Sequence, residues 1–387
     1  MDLPDEWKES PISEIGKIMT GNTPPKKISE YYMDGSIEFI KPSDLQNKEI
    51  TTFNEKISNS AKNVARIIKA GGVLVTCIGE IGRVGFVRKD VAFNQQINGI
   101  QPNEGVDGKF IFYRIQMEKK QIQNMASATT VSIVNKSKFE KTKVTYPLSK
   151  KLQQQIVSAI ETQFSRLDET IENLKSVKGK LKVYRNAVLK KAFEKKDGWR
   201  EGTMKDTGEY INGRCFKKSE WRANGIPIIR IQNLTGRNKE FNYFDGDLDE
   251  RNKIKKGDLL LSWSATLDVF EWDKGEAALN QHIFKVIPKL DKRFLYYLLK
   301  TKIIEMHSKT HGTGMMHITR TKFDKVKALF PESASKQEKI VQLIEEKFSV
   351  IDKVEEAVNK GLEKAEQLRK SILKIAFEGR LVKNGIN

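Results

Sequence analysis

Residues 153–168 read QQQIVSAIETQFSRLD, and residues 337–352 read QEKIVQLIEEKFSVID. At an offset of 184 residues, Ile156 falls on Ile340, Val157 on Val341, Ile160 on Ile344, Phe164 on Phe348 and Asp168 on Asp352. The same offset continues without a gap through Arg185 and Arg369 and through Leu189 and Leu373, to Phe193 and Phe377. A register held over that length is an internal duplication, which constrains the architecture more strongly than any local propensity.

Within the first copy, Val157, Ile160, Phe164, Leu167, Ile171 and Leu174 alternate three- and four-residue steps, the apolar seam of a coiled coil. The second copy repeats the seam at Val341, Ile344, Phe348, Ile351, Val358, Leu362 and Ala365, with Glu355 interrupting it opposite Ile171 in the alignment. A repeated three-residue step near Val177 predicts a local change of winding in the first copy. Pro147 and Pro331 end the preceding structure. Ser149 and Ser333, or Ser335 with Glu338, supply N-caps, and Gly379 stops the second helix. A helix of about 45 residues spans about 65 Å at 1.5 Å per residue. An apolar stripe that long must be covered. The second helix leaves from the far domain, so it covers the first by folding back antiparallel, giving a pseudo-two-fold dumbbell. Pairing with a second copy of the chain is the alternative, but the internal repeat already supplies a partner.

The segments ahead of the helices repeat more weakly. Ile68, Lys69 and Gly71 match Ile254, Lys255 and Gly257, each introducing an apolar run, Val73–Val75 or Leu259–Leu261. Phe93-Asn94-Gln95-Gln96-Ile97 matches Leu279-Asn280-Gln281-His282-Ile283, Lys138-Phe139 matches Lys322-Phe323, and Trp7 and Trp199 open the two halves. Residues 37–40 and 226–229 read as strands, and 110–122 and 294–307 as helices. The fold class is therefore α+β: two pseudo-repeated α+β domains, 1–148 and 197–332, separated by long antiparallel coiled-coil helices at 149–196 and 333–387.

Of the 387 residues 38% are hydrophobic, enough for packed cores, and the formal net charge is +19. Such an excess of Lys and Arg suits a polyanion, since neutralising phosphates releases counterions; a merely soluble basic protein is the blander reading. The two cysteines, Cys77 and Cys215, lie far apart with no metal-ligand spacing, which fits a reducing, cytoplasmic compartment. No secretory signal opens the chain, and no apolar run approaches the roughly 18 residues that span a bilayer.

Catalytic motifs are missing. Gly79-Glu80-Ile81-Gly82-Arg83 lacks the Lys-Ser/Thr of a triphosphate loop, and no zinc pattern occurs. His307, His311 and His317 cluster near Gly312 and Gly314 but match no metal motif, so they read as a polar loop. Asn22-Thr23-Pro24-Pro25 only echoes the Asn-Pro-Pro-aromatic motif of amino-methyltransferases. A basic, two-headed chain without such motifs reads as a recognition protein. The alternatives are a scaffold that joins partners through its helices, which predicts no sequence-selective DNA binding, and a nuclease or methyltransferase, which needs the absent motifs.

The order of these features resembles the specificity subunit of type I restriction-modification enzymes. Gln153, Ile156, Val157, Ile160, Phe164 and Asp168, with Gln337, Ile340, Val341, Ile344, Phe348 and Asp352, carry the likeness. So do the helix ends Leu189–Glu194 and Leu373–Gly379, and the Asn-Gln-x-Ile element of each domain. The resemblance implies two target recognition domains, each reading half of a split, asymmetric double-stranded DNA site, with the helices as a ruler between them. It also implies docking of two modification subunits, and restriction subunits completing the complex. S-adenosylmethionine, ATP and Mg would reside on those partners, with no cofactor, metal or catalytic residue in this chain. Phe164, Phe193, Phe348 and Phe377 are the partner-binding candidates.

Domains that read different sequences should differ where they touch bases. The divergent segments are residues 20–32, 77–90 and 128–138 in the first domain and 212–222, 262–268 and 311–322 in the second. The DNA-binding candidates are Lys41, Arg83, Arg88, Lys136, Lys138, Arg214, Arg222, Arg230, Arg320 and Lys322, able to donate to guanine edges or phosphates. Lys41 and Arg230 align with each other, which favours a contact to the DNA backbone.

Overall fold

The computed structural model describes residues 6–127, 131–264, 266–309 and 319–382. They form two compact units, Met1–Leu174 with Gly361–Asn387 and Lys175–Lys360. Four helices organise them: α1 (Gly108–Met117), α2 (Lys150–Ala192), α3 (Lys292–Lys309) and α4 (Ala334–Phe377).

In the first unit, Trp7–Pro11 pairs antiparallel with Lys143–Pro147, tying the start of the globular part to its end. A five-stranded sheet runs in the order Gly16–Thr20, Ile97–Pro102, Val73–Thr76, Val84–Phe86, Lys48–Glu49. A four-stranded sheet runs Lys56–Ile57, Ile37–Ile40, Val91–Phe93, Ile67–Ile68. Strand Val73–Thr76 is buried on both faces because its side chains alternate between two cores. Val73 and Val75 face the helical side with Phe110 and Ile160, while Leu74 joins Ile40, Ile68 and Phe93. Gly71 turns the chain into this strand at φ +83°, a left-handed conformation that favours glycine.

The second unit repeats the plan. Arg200–Thr203 pairs with Lys327–Phe330. One four-stranded sheet runs Gly208–Asn212, Ile283–Pro288, Leu259–Ser262, Asp268–Glu271, and the other Asn242–Phe244, Ile226–Ile229, Ala277–Leu279, Lys253–Ile254. Leu259 and Leu261 face the helical core and Leu260 the other, again behind a positive-φ glycine, Gly257 at +90°. Both parallel and antiparallel pairs occur in each unit, as in Phe39 beside Ala92 and Ile228 beside Ala278.

The strands expected at 37–40 and 226–229 form with those bounds. The helix expected over 110–122 is two, broken at Glu118, whose φ/ψ of −88°/5° leaves the helical region. Ser149 caps α2 through its Oγ, 3.3 Å from the Leu152 amide; α4 starts after Ser333, so Ser335 lies inside it. Gly379 closes α4 at φ +72°.

The seam corrects one expectation. Past Leu174 it runs through Lys178, Leu181, Arg185, Val188 and Ala192, keeping the alternation of four- and three-residue steps, while Val177 faces solvent. α2 continues unbroken through Val177, and both Val177 and Lys178 are exposed at this point of the seam. A lysine and an arginine stand at these positions and bond polar side chains of the facing helix: Lys178 Nζ bonds Asn359 Oδ1 at 2.9 Å, and Arg185 pairs with Asp352. In both units α2 and α4 run antiparallel, Arg369 meeting Asp168 in the first and Arg185 meeting Asp352 in the second.

Candidate nucleic-acid interface

One glutamine holds each globular part to its long helix. Gln153 is fully buried; its Nε2 donates to the Pro147 carbonyl at 2.9 Å and its Oε1 accepts from the Asp107 amide at 2.7 Å. Gln337 does the same with Pro331 (2.8 Å) and Asp291 (2.7 Å). Asp107 and Asp291 in turn accept from the amides of Phe110 and Phe294 in the first turns of α1 and α3. Strand end, helix cap and long helix are thus locked by one amide, the physical reason that Gln recurs at the head of each repeat.

Beside it a charged trio also repeats. Lys109 bonds Glu161 at 2.6 Å with Tyr113 alongside, and Arg293 bonds Glu345 at 2.6 Å with Tyr297 alongside. Burial opposes the charge of Lys109, but Glu161 and Glu49 outweigh it and hold its pKa up. Burial, reinforced by Glu345 and opposed by Arg293, pushes the Tyr297 phenol up to about 12. Burial also raises the Tyr113 phenol above its usual range, with Glu161 adding to it.

Of the four phenylalanines expected at partner contacts, Phe164, Phe193 and Phe377 are buried within the chain and Phe348 is half-buried. Phe377 packs 5.4 Å from Phe110, which also meets Trp7, and Phe193 packs 5.2 Å from Phe294, which also meets Trp199. Phe164 lies between Tyr113 and Arg369, and Phe348 between Tyr297 and Arg185. Their rings pack against the chain's own side chains, and the helix faces beside them are more exposed. Tyr184, Leu343 and Val350 are exposed there in the second unit.

The basic candidates fall into groups. In the first unit a bridge between Ile78 and Ile133, with the Val134 amide donating to the Cys77 carbonyl at 2.9 Å, lays the segment holding Lys136 and Lys138 against the loop leading to Arg83. Arg83 pairs with Glu80, Lys136 with Glu140 at 3.3 Å, and Lys138 Nζ donates to Ser127 Oγ at 2.8 Å. Arg88 lies beyond the other end of strand Val84–Phe86 and bonds Glu49 at 2.6 Å. Glu49 is shared with Lys109 and so leads toward α2, away from Arg83. Lys41 pairs with Glu55.

In the second unit Arg214, Arg222 and Arg230 gather on the turn at Lys217–Arg222. Arg214 pairs with Glu220, Arg230 stacks 5.0 Å from the Trp221 ring, and Arg222 donates to the carbonyls of Ser219 and Trp221. The Lys217 amide, and then Arg214, hold the Glu220 carboxyl below its usual range. Arg320 reaches Asp324 at 3.7 Å, and Lys322 is exposed. Of the segment 311–322 only Thr319–Lys322 is described; His311 and His317, like residues 128–130, lie outside the described residues. The Asn-Gln-x-Ile elements are turns: Asn94 Oδ1 accepts from the Gln96 amide at 2.8 Å and Asn280 Oδ1 from that of His282 at 3.3 Å. The aromatic seats of the arginines and the carboxylate on Arg214 were not among the sequence candidates. Only the spacing of Arg214 and Phe216 hints at them.

Among the described residues, no group of three or more His, Cys, Asp or Glu is placed to hold a metal ion, and no helix is long and apolar enough to cross a membrane. Two similar α+β domains, each built on a long helix and each gathering basic side chains on divergent loops, define a modular DNA-recognition protein. The chain belongs to the type I restriction modification DNA specificity domain family, which matches residues 4–181 and again 196–364. It is 23% identical over 418 residues to the type I restriction enzyme MjaVIII specificity subunit of Methanocaldococcus jannaschii, covering 99% of this chain and 95% of that one. It is also 23% identical to the EcoKI specificity subunit of Escherichia coli K12, covering 98% and 90%. In fold it is similar to a chain of a solved structure that concerns complex assembly and conformational transition of the type I R-M system, with a TM-score of 0.78 at 18% identity over 98% of this chain and 100% of that one. The HsdS subunit of Thermoanaerobacter tengcongensis gives a TM-score of 0.57 at 17% identity, covering 98% of each.

Proposed function

We propose that this chain is the recognition subunit of a type I restriction-modification complex, with each globular domain reading one half of a split, asymmetric DNA site. The observation that carries this reading is a shared scaffold with unshared loops. The Gln153 and Gln337 clamps and the paired strands repeat, while the basic side chains on the loops differ. Residues 1–148 and 197–332 would be the two readers, and 149–196 and 333–387 the spacer that sets the unread gap. Arg83, Lys136 and Lys138 on one side and Arg214, Arg222, Arg230, Arg320 and Lys322 on the other would meet DNA. Their exposed ion pairs are worth at most about 1 kcal/mol each, so DNA phosphates can displace the carboxylates cheaply.

Modification subunits would dock on the outer helix faces, where Tyr184, Leu343 and Val350 offer apolar surface among lysines. S-adenosylmethionine would be bound by those modification subunits, and ATP and Mg by restriction subunits, with the whole assembly working in the cytoplasm. Co-purification with the modification subunit encoded beside this chain, followed by mapping of methylated adenines on genomic DNA, tests the reading. One asymmetric split motif is expected. A stable complex that methylates nothing would leave only a scaffold. Exchange of residues 1–148 for another family member's first domain should change one half of the motif; a change in both halves would refute the two-reader arrangement.

A further inference from the structure

The two units share a backbone frame at one place where their side chains are used in opposite ways. A Cβ on Gly21 would sit 2.3 Å from the carbonyl oxygens of Phe93 and Asn94, and one on Gly213 2.3 Å from those of Leu279 and Asn280. The next amide donates to Phe93 at 3.0 Å from Asn22, and to Leu279 at 2.8 Å from Arg214. Across the same turn, the amides of Lys41 and Arg230 each donate to the side chain three residues on, Asp44 at 2.8 Å and Asn233 at 3.0 Å. Asn22 is therefore the counterpart of Arg214, and Lys41 of Arg230.

In the first unit both side chains are spent. Asn22 Nδ2 donates to the Val64 carbonyl at 2.6 Å, its Oδ1 accepts from the Arg66 amide at 2.7 Å, and Lys41 pairs with Glu55. In the second unit donors are left over. The Arg214 guanidinium lies 4.8 Å from the Phe216 ring and 4.7 Å from the Phe244 ring. Its Nη2 bonds Glu220, while its Nη1 is buried with no partner. Arg230 lies against Trp221, forms no ion pair among the described residues, and buries an Nε without a partner.

We propose that Arg214 and Arg230 are a guanine-reading pair, and that Glu220 occupies Arg214 until a DNA acceptor displaces it. The proposal rests on the half-site reading above. A guanidinium is a planar fork of donors that suits paired acceptors, which DNA offers as phosphate oxygens or as guanine O6 and N7. A phosphate contact is blind to sequence and would serve both units alike. At Arg214 the side chain differs in kind from its counterpart Asn22 over a common backbone, which favours the base edge; at Arg230, whose counterpart Lys41 is also basic and aligns as a backbone contact would, the difference is that Glu55 holds Lys41 and no carboxylate holds Arg230 among the described residues. The aromatic seats fix the plane of each fork before DNA arrives and so reduce the entropy lost on binding. Glu220 sets a threshold. Exchanging its carboxylate for one phosphate oxygen is nearly even, so nonspecific DNA gains little from Arg214, whereas the paired acceptors of a guanine edge can also satisfy Nη1 once the fork turns outward within its plane from its buried place. With the side chains of Arg214 and Glu220 35% and 27% exposed, the pair can open without unfolding the loop.

The test uses the full chain with its modification subunit, mapping methylated motifs on genomic DNA and duplex affinity as a function of salt. R214K and R230K each should make a guanine-containing position in one half-motif degenerate and weaken binding to the original site tenfold or more. The other half-motif, unchanged, would show that the chain is folded. E220Q should tighten binding to matched and mismatched DNA alike by severalfold and leave the ratio between them unchanged. Lysine variants that keep the motif and the salt dependence would assign both arginines to phosphates and overturn the base-reading proposal. An E220Q chain that binds more weakly would place Glu220 in the bound state and overturn the displacement. A wild-type complex with no split motif would instead refute the function on which the proposal rests.

Discussion

Arg369 lies over Phe164, its guanidinium carbon 4.3 Å from the ring centroid, and bonds Asp168. Arg185 repeats the arrangement on Phe348, at 4.5 Å, with Asp352. Each arginine holds a seam position of the helix pair with its stem packed inward and its charge paired outward. Replacing Arg369 by Met keeps the stem and removes the cation. The expected loss is about 1 kcal/mol, since the cation–π contact dominates and the exposed ion pair adds little. A lower urea midpoint at unchanged slope would record it; R185M should behave alike.

Gln153→Ala should cost more. It leaves the Asp107 amide and the Pro147 carbonyl buried without partners, at about 1–3 kcal/mol for each unmet group. The same substitution at Gln337 should match it in the second unit. Thermal melts of both variants, beside a surface control such as Q154A, measure this.

Phe377 belongs to the first unit and Phe193 to the second. F377A should destabilise the region around Trp7 and Phe110 by about 3–5 kcal/mol, and F193A the region around Trp199 and Phe294 by a similar amount. Hydrogen exchange should rise in α1 for the first variant and in α3 for the second. Truncation ahead of Ile372 should loosen the N-terminal domain although it removes only the chain's far end.

Tyr297 has a pKa raised from 10.0 to about 12, so the folded state holds that proton more tightly than the unfolded chain. The stability it contributes is fully present below pH 10 and is lost as pH rises toward 12. Y297F should therefore unfold at a higher pH than the parent in an alkaline titration, provided neutral-pH stability is matched. An unchanged alkaline midpoint would contradict the burial of that phenol.

The duplication and the heptad seam were legible because they are one-dimensional: equal offsets and alternating steps survive without coordinates. The strands at 37–40 and 226–229 were legible for the same reason. Val177 misled because an exposed valine counts as apolar in a pattern, and Lys178 escaped because a long stem can stand at a seam position while its amine bonds Asn359. The four phenylalanines were recognised as repeated, but their burial, nearly complete for Phe164, Phe193 and Phe377 and partial for Phe348, was not legible. Repetition marks a shared environment and does not distinguish a core from an interface.

By itself the sequence determined that two similar domains each carry a long helix and that the helices can cover one another's seams, since hydrophobic periodicity is a property of the chain. Only the tertiary structure decided that Phe377 closes the domain at the opposite end of the sequence, that Gln153 joins three elements, and which arginines keep idle donors. Those facts depend on which distant groups meet in space. A side chain's free hydrogen-bonding capacity is what remains after all such meetings, and no local pattern encodes the remainder.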